Sequence, residues 1–126
     1  MTALRLYVRW LRQARCKLLD DDMRVACAFD AAYVLLQDAA RSGGLGETGE
    51  HPNASVIKAG SRALGVCAPD AKAGLRLLRW VDWARHFNGE SPPYAASDAL
   101  SWAERIKALY QSRLSRANAP NRVHQR

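Results

Sequence analysis

Between Ala73 and Tyr110 the chain carries three of its four tryptophans, on two segments of helical periodicity split by Gly89, Pro92 and Pro93. Leu75, Leu78, Val81 and Trp80 or Trp83 recur at helical spacing, so a helix is expected from Pro69-Asp70 to about Asn88. Gly89 stops it, and the two prolines keep the chain from resuming at once. Ser97 or Asp98 is expected to cap a second helix, running through Leu100, Ala103, Ile106, Leu109 and Tyr110 to about Leu114. The tryptophans are expected to weld these two helices into a bundle, because each buries a large apolar ring.

The preceding residues read the same way. A helix is expected over 3–19, with Leu4, Val8, Leu11 and Leu18 on one face, Tyr7 and Ala14 beside them, and Arg5, Arg9 and Arg12 on another. Asp20, Asp21 and Asp22 interrupt it. Adjacent acids do not converge on one ion, and the alternating ligand pattern of a calcium loop is absent, so an aspartate is expected to cap the next helix. That helix, 22–41, is rich in small residues: Val25, Ala28, Phe29, Ala32, Leu35, Leu36 and Ala39 form a broad apolar face that permits close packing. Asp30 and Tyr33, three apart, form its polar edge. Residues 42–50 hold four glycines but lack the phosphate-loop pattern and a preceding strand, so they read as a connection. A third helix is expected from Pro52 to Gly65, with Val56, Ile57 and Leu64 inward and Gly60 allowing a close approach. No run reads as a strand. The expected fold is all-α: a single-domain up-and-down bundle of about five helices over residues 1–116, then a flexible basic tail over 117–126.

A net charge of +7 is unevenly placed. Residues 1–19 hold five basic side chains and no acid, and residues 103–126 hold six against Glu104 alone, while the middle is slightly acidic. Side by side, the two ends make one positive face suited to RNA, DNA or an acidic protein, with Arg5, Arg9, Arg12, Arg105 and Arg113 as its nucleic-acid-binding candidates. Cys16, Cys27 and Cys67 are widely spaced and odd in number, which argues against a disulfide framework or a zinc site and for a reducing cytoplasm. The N-terminus has no unbroken apolar run, so neither a signal peptide nor a membrane span is expected. His51, before Pro52, and His124, in the tail, have no partner at ligand spacing. No metal or other cofactor is expected.

The segment CAFDAAYVLLQDAA, the pair Arg85-His86 after the tryptophan-bearing helix, and the closing YAASDALSWAERIKAL resemble the HEPN family (higher eukaryotes and prokaryotes nucleotide-binding domain) over about residues 3–112. Active members carry an arginine, a polar residue and a histidine at a spacing written Rx4–6H. Here no second histidine stands among Phe87, Asn88, Gly89, Glu90 and Ser91 after Arg85-His86, and the match runs instead from Arg79 across six residues to His86, on one helix. The resemblance implies metal-independent RNA cleavage in which His86 moves protons, Arg79 or Arg85 stabilises phosphate charge and Asp82 orients His86. These four are the candidate catalytic residues. It also implies a homodimer, and a nucleotidyltransferase-type antitoxin as partner in a toxin–antitoxin or defence pair.

The altered motif and the basic ends favour a non-catalytic HEPN-like protein that binds a protein partner, RNA or both. One alternative is an active HEPN endoribonuclease toxin, which the cluster around His86 favours. A second is a small α-helical nucleic-acid-binding regulator; against it, the helix after Gly65 is too apolar for recognition in a DNA groove.

Overall fold

The computed structural model describes residues 2–46, 49, 51–84 and 89–118, and the side chains of all of these except 83, 84 and 118. Among them the chain forms an all-α bundle of five helices: α1 (Ala3–Arg15), α2 (Asp21–Ser42), α3 (Ala54–Leu64), α4 (Ala68–Ala84) and α5 (Ala96–Asn118). The expected end of α4 near Asn88, the side chain of Trp83 and most of the tail lie outside the described residues. No described helix is long and apolar enough to cross a membrane.

The alanine-rich helix α2 is the centre. Eleven of its 22 residues are buried, on more than one face, and it packs against all four other helices. Its small side chains allow this, since a helix packed on several sides has little room for long ones. The closest approach is at Gly60 of α3. A Cβ placed there would lie 2.4 Å from the main-chain oxygen of Leu36, so only glycine lets α3 sit this near to α2.

The connections follow from local chemistry. Asp20 accepts a hydrogen bond from the Met23 N–H at 2.8 Å and caps α2. Its extended backbone (ψ 161°) forces the turn to be completed before it, so α1 ends at Arg15 instead of continuing to residue 19. Leu18 is accordingly 96% exposed; within α1, Tyr7, Leu11 and Ala14 carry the buried side, and Val8, expected inward, is 45% exposed. Asn53, not Pro52, sets the start of α3: its side chain accepts from Val56 N–H at 3.0 Å, and its own N–H donates to the Tyr33 hydroxyl at 3.1 Å. Tyr33 is thus buried and tied to the α3 entry. Gly65, at φ 70°, ends α3 in the left-handed conformation.

Two expectations for the tryptophan-bearing stretch are corrected. Among the described side chains of α4 the buried positions are Gly74, Leu77, Trp80 and Val81, with Leu75 and Leu78 only half-buried. The helix rotates because Gly74 is its contact point: a Cβ there would lie 3.2 Å from both Ile57 and Trp102. At α5, Ser97 and Asp98 lie inside the first turn instead of capping it, and the Ala99 N–H already donates to the Ala95 carbonyl. The helix also continues past Leu114 to Asn118. Trp102 does join α5 to α4, its indole N–H donating to the Asp70 carbonyl at 2.9 Å, while its ring stacks on Phe29 of α2.

Candidate functional site

The candidate catalytic residues fall partly within the described structure. Arg79 and Asp82 are exposed on α4 and border one open groove, whose other wall includes Pro52 and Lys58 from the α3 entry. The half-buried Leu75 and Leu78 form its floor. Arg85 and His86 lie outside the described residues. Arg79 also borders a neighbouring cavity of about 380 Å³ with Arg76, Trp80, Ser91 and Pro93. The loop that closes this cavity is held by Trp80, whose indole N–H donates to the Glu90 carbonyl at 2.9 Å.

Next to it, between α4 and α5, lies a cavity of about 490 Å³. Its fixed corner is an ion pair: Arg105 donates to both carboxylate oxygens of Asp70, at 2.9 and 3.0 Å. Arg105 hydrogen bonding holds the Asp70 carboxyl below its ordinary range, against burial, with the Cys67 thiol adding a further hydrogen bond. The guanidinium of Arg105 is correspondingly pushed up, first by that hydrogen bond. Lys72, Arg76, Tyr94 and Ser101 also line this cavity. Of these cavity-lining cations, the sequence singles out only Arg79, through the family motif, and Arg105, through the basic charge of the chain's ends. The spacing 72, 76, 79 on one helix was the available signal.

A stability test follows. A carboxylate whose folded pKa is depressed contributes above its unfolded value, near 4, and that contribution is lost as pH falls through the folded value. Asp70→Asn is expected to cost about 1 kcal/mol at neutral pH, a modest figure because Arg105 is half in solvent. Urea midpoints of the two proteins should converge as the medium is acidified below pH 4 or so. A gap that stays constant with pH would assign the loss to shape and not to charge.

The nucleic-acid-binding candidates divide into two groups. Arg5, Arg9 and Arg12 are exposed along α1, with a shallow hollow between Leu4, Arg5, Val8 and Arg9 whose accessible floor is apolar. Arg105 is engaged by Asp70. Arg113 donates to the Ala63 carbonyl at 2.8 Å, satisfying a C-terminal carbonyl of α3. Helices α1 and α5 do meet, through Arg15 and Glu104 at 3.1 Å and through Lys107 over the Tyr7 ring. Near this contact the buried Tyr7 hydroxyl has no hydrogen-bond partner among the described residues, and burial raises its pKa to about 12.

Other polar clusters are structural in their contacts. The Tyr110 hydroxyl donates to Asp38, tying α5 to α2. Arg24 donates to the Ala14 carbonyl at 2.8 Å and pairs with Asp21, bracing the α1–α2 turn. Burial pushes the Cys27 thiol up, away from reactivity. Among the described residues no group of His, Cys, Asp and Glu is placed to hold a metal ion. Comparison with protein-family models, with curated proteins and with solved structures gave no match.

Proposed function

We propose that this chain is a non-catalytic binding protein, a HEPN-like bundle that captures an acidic protein partner on the outward face of α1. The observation that carries this reading is that face itself. Arg5, Arg9 and Arg12 are exposed along one helix, α1 contains no acid, and Val8 is 45% exposed between them. A row of cations flanking an apolar hollow complements an acidic surface that has its own apolar seam. A polynucleotide backbone would use the arginines and leave Val8 and Leu4 without a partner. Of the five candidates, Arg105 and Arg113 are engaged by Asp70 and by the Ala63 carbonyl, and the other three lie in one exposed row on α1. The central alanine-rich helix and the proline-bearing loop before α5 support the HEPN-like part of the reading. A nucleotidyltransferase-type antitoxin is the partner to try first.

The test uses two labelled probes of equal charge, an acidic amphipathic helical peptide and a single-stranded RNA, each titrated at two salt concentrations. The peptide is expected to bind more tightly, in a salt-dependent way. Reversing Arg5, Arg9 and Arg12 to Glu is expected to weaken it on the order of 100-fold, about 1 kcal/mol for each surface charge reversed. Tighter binding of the RNA would replace the protein partner by a nucleic acid. RNA degradation on expression that His86→Ala abolishes would overturn the non-catalytic reading.

A further inference from the structure

We infer that the α4 ridge Lys72–Arg76–Arg79, with the cavity between α4 and α5, is a binding site for a phosphate-bearing ligand. The inference is independent of the α1 surface. Positions 72, 76 and 79 fall within roughly 60° of one another around a helix and span about 10 Å along its axis. All three side chains are exposed. None of the three makes an ion pair or side-chain hydrogen bond among the described residues, and at i, i+4 and i+3 spacing the three like charges repel one another. Arg76 borders both neighbouring cavities, Lys72 the larger and Arg79 the smaller.

The acids nearby decide which cavity takes the phosphoryl group. Glu90 borders the smaller one, which disfavours an anion there. In the larger cavity Asp70 is already clamped by both hydrogen bonds from Arg105, and Asp98 lies near enough to Arg105 for its charge to act on the same guanidinium. Asp70 is thereby satisfied by one cation, and Lys72 and Arg76 remain on the rim for the ligand. A guanidinium offers paired donors that match phosphate oxygens, and an ammonium adds a point charge. Ser101 supplies a hydroxyl on the same rim, and the half-buried Tyr94 and the Trp102 edge give an apolar wall for the body of the ligand. At about 490 Å³ the cavity is of small-molecule size. The phosphoryl group has two sources, a free phosphorylated small molecule or the backbone of a single-stranded nucleic acid.

Calorimetric titration with inorganic pyrophosphate tests the site, on the wild type and on Arg76→Ala, Lys72→Ala and the α1 variant Arg5→Ala. One saturable equivalent is expected, weakened about tenfold by either α4 substitution, as for loss of one charge-assisted contact, and unchanged by Arg5→Ala. Circular dichroism checks that each variant is folded, which exposed positions permit. A single-stranded decanucleotide then separates the sources: displacement of pyrophosphate by the oligonucleotide, sensitive to Arg76→Ala, assigns the polymer, and failure to displace it assigns the small molecule. Absence of saturable binding, binding indifferent to both α4 substitutions, or an equal loss in Arg5→Ala overturns the site.

Discussion

Gly60→Ala is expected to destabilise the protein by about 3 kcal/mol, although alanine is the better helix former by about 1 kcal/mol. The added Cβ would sit 2.4 Å from the Leu36 oxygen, 2.8 Å from its carbonyl carbon and 2.9 Å from its Cα. All three are main-chain atoms of another helix, so no side chain can rotate away. Relief requires α3 to move off α2, and Val56, Ile57 and Leu64, now almost wholly buried, would lose contact with it. Interiors are packed too tightly to absorb such a shift without loss. A total stability of 5–15 kcal/mol is usual for domains, so about 3 is a large fraction. Urea unfolding of Gly60→Ala beside Gly46→Ala measures it, because a Cβ at Gly46 meets nothing within 4 Å. Equal midpoints for the two variants would mean that α2 and α3 do not pack at this distance.

Gly60 also shows what kind of structure is readable from sequence. A glycine inside a helical pattern signals close backbone approach, and an aspartate before a periodic run signals a cap; both signals are local and both correspond to the observed geometry at Gly60 and Asp20. Leu75 and Leu78 were misjudged because hydrophobicity ranks leucine over glycine, whereas the contact surface of α4 is set by the absence of a side chain at Gly74. The partners of Arg105 and Arg113 are not legible in the sequence because they are 35 and 50 residues away, beyond the reach of any i, i+3 or i+4 rule. The same holds for Tyr110 and Asp38, 72 residues apart. Of the candidate site, Arg79 and Asp82 were legible as neighbours on one helix, and the structure sets them on a common groove. The spacing of Lys72 and Arg76 was equally visible. What singles them out, a place on the rims of two cavities, exists only once the loop from Glu90 to Tyr94 is folded back by the Trp80 hydrogen bond.

Trp102→Ala is expected to cost about 4 kcal/mol, at the upper end of single-site losses in a domain of this size. The side chain is 2% exposed and touches two other helices. Its ring lies parallel to Phe29 of α2, centroids 6.4 Å apart and planes 5° apart; its edge meets Gly74 of α4; and its indole N–H donates to Asp70. Truncation leaves a cavity walled by α2 and α4, and the Gly74 side has no side chain with which to fill it. It also frees the Asp70 carbonyl beside the Arg105 ion pair, so the α4–α5 junction loosens where the proposed phosphate site is formed. Trp102→Phe separates the two contributions. It keeps most of the ring contact and removes the N–H, for an expected loss of about 1–2 kcal/mol. Chemical denaturation of both variants measures the ratio. If Trp102→Phe costs as much as Trp102→Ala, the hydrogen bond to Asp70 and not the packed ring holds α5 against α4. If Trp102→Ala costs less than about 0.5 kcal/mol, the range of ordinary surface substitutions, the two helices are held together elsewhere and the junction cannot be the rigid wall that a preformed site requires.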